Sequence, residues 1–253
     1  MPAFTDLKGK TVVITGGVKN LGALIARDLA KLGSPNFVLH YHSSSDKAKG
    51  EELVKELGAL GSKAVLFQGE LQHPKDNAAM FDLAIKEFGS ADVAINNVGV
   101  MLKKNIVDIT EEEYDYMFNT NSKSAFFFLQ EAGKKLADGG KVVMLLTSLL
   151  GAFTGHYSTY AGAKASVEHF TRAAAKEFGS RGISVNAVAP GPMDTPFFYA
   201  QETPEAVEFL KTTTMNGKLT DIKDISPIVK FLVTEGWWFN GQILFANGGF
   251  VTR

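Results

Sequence analysis

Two side chains of complementary chemistry stand one helical turn apart in the run Tyr160-Ala161-Gly162-Ala163-Lys164. Positions i and i+4 of an α-helix share a face, so a phenol and an ammonium would meet there. Of the six tyrosines, only Tyr160 is followed by lysine at that spacing. A free phenol titrates near ~10 and is a poor acid or base at neutral pH. A nearby cation favours its anion, and about 1.4 kcal/mol of such preference lowers the titration by one pH unit. The spacing therefore predicts an acid–base tyrosine made more acidic by Lys164. Ser148 lies twelve residues upstream of Tyr160, at the end of an apolar run. Its hydroxyl can hold and polarise a substrate carbonyl there; a strand-end cap is the plainer use of the same group.

Short β-branched runs alternate with longer helical patterns along the chain, and these must position the pair. Strands are predicted at Lys10–Thr15, Phe37–His42, Lys63–Gln68, Ala91–Asn96, Lys141–Thr147, Ile183–Ala189 and Gln242–Phe245. Helices are predicted at Asn20–Leu32, Ser44–Leu60, near Pro74–Phe88, Thr110–Ala137, Ser158–Phe178 and Asp221–Thr234. Thr110 and Glu113 stand in capping-box spacing. Such alternation implies right-handed βαβ units, hence an α/β fold: a doubly wound, Rossmann-type parallel sheet of about seven strands with helices on both faces. The strand runs VVI, VVMLL and VNAVA are continuously apolar, as strands covered on both faces should be. No linker or composition break divides residues 1–253, so a single domain is expected. Residues 190–217 are the least regular stretch, with four Pro, two Gly and the cluster Phe197-Phe198-Tyr199. So long an interruption is expected to be a substrate-binding lid rather than a second domain.

Between the first strand and first helix runs Thr15-Gly16-Gly17-Val18-Lys19-Asn20-Leu21-Gly22. In a dinucleotide-binding βα turn the first Gly lets the chain turn and the last lets the helix pack on the strand, while the helix N-terminus faces a pyrophosphate. The G-x-G-x-x-G spacing is not kept, since Gly16 and Gly22 are six apart. Asn20 between them is the next best residue for left-handed backbone. A plain βα loop is the alternative.

At this point the chain resembles the short-chain dehydrogenase/reductase family, in its subgroup of about 250 residues. The family's T-G-x-x-x-G-x-G is matched except that Asn20 takes the middle glycine. The resemblance spans about Leu7 to Gly249. It includes Asn96-Asn97-Val98-Gly99, Glu70-Leu71 where Asp-Val holds an adenine, and Asn186 to Pro190-Gly191 with Thr195. It closes on Asn240-Gly241-Gln242 through Asn247-Gly248-Gly249. It implies a catalytic tetrad of Asn121, Ser148, Tyr160 and Lys164, although Asn121 could equally be a helix kink. It also implies that Asn97 and Gly99 lie beside the cofactor, and that Met193 and Thr195 meet the nicotinamide carboxamide. In that scheme Tyr160 exchanges the proton, Ser148 holds the carbonyl oxygen, and Lys164 holds the nicotinamide ribose. Asn121 would bind, through its backbone carbonyl, a water that relays protons to Lys164.

A Rossmann protein choosing NAD holds the ribose with a carboxylate at the end of its second strand. Here that strand ends Leu39-His40-Tyr41-His42-Ser43-Ser44-Ser45, with no carboxylate before Asp46. His42, Ser43 and Ser44 can donate to a 2′-phosphate, and Lys19 stands where NADP-preferring family members place a basic residue. NADP(H) is the expected cofactor; a helix cap made by Ser44 or Ser45 is compatible with it.

The substrate wall is expected after the fourth and fifth strands and in residues 190–217. From the first two regions come Met101, Leu149, Leu150, Phe153, His156 and Tyr157. Phe197, Phe198 and Tyr199 come from the third. Their apolar character suggests NADPH-dependent reduction of a small, largely hydrophobic ketone or aldehyde. The alternatives are an alcohol, polyol or steroid dehydrogenase working in oxidation, and a non-catalytic NADP(H)-sensing protein.

Composition narrows the field further. Of 253 residues, 26 Lys+Arg against 27 Asp+Glu leave a net charge of −1, too little field for non-specific nucleic-acid binding. The absence of Cys excludes disulfides, thiolate metal sites and cysteine nucleophiles, and no metal is expected. No leader pattern or apolar run of spanning length is present, so no membrane role and a cytoplasmic setting are expected. The resemblance implies a homotetramer, or a homodimer, packed through the helices at 110–137 and 158–178. Their Phe126-Phe127-Phe128 and Ala173-Ala174-Ala175 exceed one buried stripe.

Overall fold

Each apolar run becomes a strand and each long periodic stretch a helix in a computed structural model that describes residues 4–252. The strands are β1 (Thr11–Ile14), β2 (Asn36–Tyr41), β3 (Ala64–Gln68), β4 (Val93–Asn96), β5 (Lys141–Leu145), β6 (Ser184–Pro190) and β7 (Ile243–Ala246). All seven are parallel, in the order β3-β2-β1-β4-β5-β6-β7. The chain winds outward from β1 to β3, then returns to pair β4 with β1, Val12 against Val93 and Ile14 against Ile95. That reversal opens a crevice at the carboxyl ends of β1 and β4, where doubly wound sheets bind ligands.

Successive strand side chains point to opposite faces, and the core divides accordingly. Val12 and Ile14 pack with Phe37, Leu39, Val93 and Ile95 beneath α1 (Asn20–Ala30), α2 (Lys47–Ala59) and α9 (Ile222–Val233). Val13, Val38, Ala94 and Met144 face α3 (Pro74–Phe88), α5 (Ser124–Lys135) and α6 (Ser158–Phe178). With both faces covered, the strands are mostly apolar, and among the buried exceptions His40 of β2 and Asn186 of β6 are hydrogen-bonded to backbone.

Two helical regions differ from expectation. The stretch 110–137 is not one regular helix. It runs as α4 (Glu111–Phe118), a π-helical turn at Asn119–Lys123, and α5. In that turn the Ser124 amide bonds Asn119 O, five residues back. The start at Thr110 is as predicted: its hydroxyl accepts from Glu113 N at 3.2 Å and the Glu113 carboxylate accepts from Thr110 N at 2.9 Å. Residues 190–217 are not irregular, for they contain α7 (Pro196–Tyr199) and α8 (Pro204–Thr212). Of the prolines that suggested irregularity, Pro196 and Pro204 stand at the first helical positions, where the missing N–H has no intrahelical partner to lose.

Candidate active site

The β1–α1 turn closes tightly. Gly16 has φ +57° and Asn20 φ +46°, so the residue replacing the family's middle glycine takes the left-handed backbone itself. A Cβ on Gly22 would lie 2.2 Å from Gly16 O, which explains why α1 begins with no side chain there. Asn97, just after β4, locks the turn from across the switch point: its Nδ2 donates to Gly16 O at 3.1 Å and its backbone N to Thr15 Oγ1 at 2.9 Å. His40 locks it from β2, accepting from Gly16 N at Nδ1 (3.1 Å), with Nε2 3.0 Å from Gly69 O. Burial pushes the His40 imidazole down to about 4, so the ring is neutral and can serve as the acceptor at Nδ1. Nothing in local sequence separated this buried His from its neighbour His42.

A cleft of about 390 Å³ runs from this turn across the ends of β1 and β4, a size usual for ligand pockets. Gly16, Lys19, Asn20, Leu21, His42 and Ser43 line it at one end, with Glu70 and Leu71 beside them. Asn97, Gly99, Tyr160, Lys164, Pro190, Met193 and Thr195 line the rest. Three expected contacts are absent from its wall. Gly22 packs against Gly16 as described, Ser44 is held in the short 3₁₀ turn that precedes α2, and Gly191 faces the neighbouring cavity instead. The cap of that turn is Ser43, whose hydroxyl accepts from Ser45 N, rather than Ser44 or Ser45. Asp46 also enters the cleft wall, where Lys19 Nζ lies 2.6 Å and Lys49 Nζ 3.2 Å from its carboxylate. The Lys19 hydrogen bond holds Asp46 below the usual carboxylate range. His42 pairs with Glu70 across the same corner.

At the other end of the cleft, Tyr160 and Lys164 share one face of α6 as predicted. Both are buried, at 6% and 4% exposure. Lys164 Nζ donates to Leu145 O at 3.0 Å, and burial pushes the ammonium down to about 8. The expected acidification of the phenol is not what the structure shows. Burial pushes Tyr160 up to about 12, and only the Thr147 side chain, hydrogen-bonding to it, works in the opposite direction. Desolvation of the phenolate is the dominant cause of this rise. Tyr160 therefore holds its proton at neutral pH.

The hydroxyl that bonds Tyr160 is that of Thr147, while Ser148 lines the adjoining cavity beside it. Thr147 has extended backbone (φ −154°, ψ 143°), so adjacent side chains diverge. Ser148 is 1% exposed; its Oγ donates to Ala189 O at 2.7 Å and accepts from Asn247 Nδ2 at 3.1 Å. Those bonds turn it towards β6 and the C-terminal segment. In sequence the two hydroxyls differ only in their interval to Tyr160, thirteen residues for Thr147 and twelve for Ser148. Asn121 lies in the π-helical turn with its side chain spent on structure. It accepts from Val100 N at 3.0 Å and donates to Val100 O at 2.9 Å and Met117 O at 3.0 Å. This ties α4 to the segment after β4, and a Cβ on Gly99 would press within 3.1 Å of Asn121 Oδ1 and 3.3 Å of Lys164 Nζ.

A second cavity of about 240 Å³ adjoins the cleft, and Tyr160, Leu146, Pro190, Met193, Thr195 and Phe197 belong to both. Of the expected wall, Met101, Leu149, His156, Tyr157, Phe197 and Phe198 line this cavity. Leu150, Phe153 and Tyr199 do not; Phe153 is fully exposed, and the Tyr199 hydroxyl bonds Asp194 at 2.9 Å. Sequence reasoning missed Thr147, Lys103, Glu202, Phe209, Leu210 and Phe250. Phe209 and Leu210 follow from α8, a helix the prolines concealed. Among the described residues no helix is long and apolar enough to cross a membrane.

The geometry has counterparts among known proteins. A family model described as Enoyl-(Acyl carrier protein) reductase matches residues 16–251. A short-chain dehydrogenase/reductase from Aspergillus novofumigatus is 33% identical over 259 residues, covering 96% of each chain. An NADPH-dependent aldehyde reductase-like chloroplastic protein from Arabidopsis thaliana is 33% identical, over 97% of this chain and 95% of its own. The crystal structure of a dehydrogenase from Burkholderia cenocepacia with bound NADP superposes with a TM-score of 0.97, at 52% identity over 99% of this chain and 97% of that one. Likeness of this extent, end to end and in three dimensions, leaves one family open to a sheet wound this way around a Tyr–Lys helix: the chain belongs to the short-chain dehydrogenase/reductases.

Proposed function

We propose that the protein is an NADPH-dependent reductase of uncharged, largely hydrophobic aldehydes or ketones. The observation that carries this reading is the place of Tyr160, a proton-bearing phenol at the junction of a dinucleotide-sized cleft and an apolar cavity. Reduction needs a protonated acid at the carbonyl oxygen, and a phenol held at about 12 is loaded with that proton at neutral pH.

The residues present fit a nicotinamide dinucleotide. Asn20 and Leu21 open α1 onto the cleft and no side chain caps that helix, so its first-turn amides suit a pyrophosphate. At the β2 corner, Lys19 and Lys49 share the single Asp46 carboxylate and the Ser43 hydroxyl lies alongside. Lys19 and the Ser43 hydroxyl on the cleft wall favour a 2′-phosphate over a bare ribose, with the Glu70 carboxylate held by His42. The bound relative from Burkholderia cenocepacia and the aldehyde reductase-like protein support NADP(H) over NAD(H). When bound, the reduced nicotinamide supplies the hydride.

The chain's own residues do the rest. Thr147 holds the carbonyl oxygen next to Tyr160, which donates its proton as oxyanion charge develops. Lys164, buried behind Tyr160 and bonded to Leu145 O, holds the ribose and stabilises the phenolate that proton transfer leaves. Asn121 fixes the floor of this site through Val100 and Met117. The helices in 190–217 form the lid of the apolar cavity. A cytoplasmic homotetramer is part of the same reading.

A panel of ketones and aldehydes assayed with NADPH and with NADH tests it, together with Tyr160→Phe. The expected result is NADPH oxidation by wild type and a loss of at least ~10²-fold in kcat in the variant, with NADPH affinity within about threefold. Substantial turnover by Tyr160→Phe would overturn the assignment.

A further inference from the structure

Glu202 is a buried carboxylate in the wall of the apolar cavity, outside the reaction centre. It sits between α7 and α8, one residue before Thr203, whose hydroxyl caps α8 by accepting from Ala206 N. Its side chain is 1% exposed and accepts from Lys103 Nζ at 2.5 Å. Its other oxygen accepts from the Tyr157 hydroxyl. The Lys103 amide donates to Gln201 Oε1 at 3.2 Å, and the Lys103 ammonium lies 5.6 Å from the centre of the Tyr157 ring. Three separate segments meet here: the connection after β4, the residue before α6, and the lid.

The rest of the lid is fastened only at its base. Asp194 N bonds Thr220 O at 2.9 Å and Met215 N bonds Gly248 O at 2.7 Å. Beside the second of these, Asn216 and Gly217 turn through φ +63° and +61°. Among the described residues, the hydrogen bonds from residues 196–212 to the chain outside the lid all end on Gln201 or Glu202. Otherwise the lid meets the cavity through Phe197, Phe198, Phe209 and Leu210. Apolar contacts of that kind are non-directional and do not fix one position. A carboxylate held by two donors does.

We propose that Glu202 is a positioning residue that bolts the lid to Lys103 and Tyr157, and so sets the width of the substrate cavity in front of Tyr160. The inference rests on the reading of that cavity as the carbonyl site. Each carboxylate oxygen accepts a hydrogen bond from the protein, and the Lys103 ammonium offsets the Glu202 charge in the cavity wall. Tyr157 stands three residues before Tyr160 at the start of α6, so the same bolt steadies the turn that carries the acid. Removing Lys103 leaves a buried carboxylate short of a partner, which draws in water and parts the lid from the body.

The test compares Glu202→Gln, Lys103→Met and Lys103→Arg with wild type, using one small aliphatic and one bulky aromatic ketone at saturating NADPH. Glu202→Gln and Lys103→Met should each raise KM about tenfold, with kcat falling less than about threefold and NADPH affinity unchanged. Preference between the two ketones should shrink, and Lys103→Arg should restore most of the wild-type KM. The double variant Lys103→Met/Glu202→Met removes both charges, folds without an orphaned ion, and should keep the raised KM. A readout independent of turnover is tryptic cleavage after Lys211 in α8, which should quicken about tenfold in the first two variants. Unchanged KM and cleavage in Glu202→Gln, or parallel loss of kcat and NADPH affinity, would overturn the proposal. If wild type reduces no carbonyl compound, the reaction assignment fails while the cleavage rates still decide the bolt.

Discussion

Thr147 and Ser148 are adjacent hydroxyls with opposite fates, and the difference is one of direction. Both line the cavity, but Thr147 bonds Tyr160, whereas the Ser148 hydroxyl donates to Ala189 O and accepts from Asn247. Thr147→Val keeps the shape and removes the donor, so kcat/KM should fall about 10²-fold, the size of losing one oxyanion donor. Thr147→Ser should stay within about threefold of wild type in the same steady-state assay. Ser148→Ala should keep kcat and lose about 1–3 kcal/mol of stability in urea unfolding, because the Asn247 amide is left without a partner. Should Ser148→Ala stop turnover while Thr147→Val leaves it, the serine is the catalytic hydroxyl after all. The Tyr160–Lys164 pair was legible in sequence because it obeys a local rule, the helical repeat. Whether the phenol becomes more or less acidic was not, since burial depends on everything packed around α6.

The β1–α1 turn shows the same division among elements. Its glycines and Asn20 are readable as a backbone that must turn left-handed, and it does. Its dependence on His40 is readable only once β2 lies beside β1. The neutral ring at about 4 in the folded chain compares with about 6.5 unfolded. As pH falls, the unfolded chain takes up the proton first. Stability present above pH ~6.5 is therefore lost progressively down to pH ~4, by up to about 3 kcal/mol. Urea midpoints of wild type and His40→Asn between pH 7 and 4.5 should converge as pH falls; parallel curves would show that His40 does not set the slope. In the lid, local signals misled, because proline ends a helix when inside it but begins one at the first position, and the sequence around Pro196 and Pro204 does not say which.

For the whole molecule, the exposed aromatic face of α4 and α5 is the feature one chain leaves unexplained. Tyr114, Tyr116 and Phe126 are 48%, 57% and 44% exposed, and Phe126 meets Phe170 of α6 edge-on at 5.3 Å. Tyr116 also lines the cofactor cleft, and Tyr114 and Phe126 are side chains that the proposed homotetramer would cover. Phe126→Asp should reduce the assembly measured by light scattering to dimers or monomers; an unchanged mass would place the interface elsewhere. The seven strands, the left-handed glycine turn after β1 and the shared helix face of Tyr160 and Lys164 were legible in sequence, whereas α7, α8 and the π-helical turn were not. Each legible feature follows from periodicity or spacing within some twenty residues, where backbone geometry fixes which side chains share a face. Which hydroxyl bonds Tyr160, the direction in which burial moves the phenol, and the meeting of Lys103 with Glu202 across ninety-nine residues were decided by the tertiary structure alone. Those properties depend on desolvation and on contacts between distant segments, and neither exists until the sheet has closed under its helices.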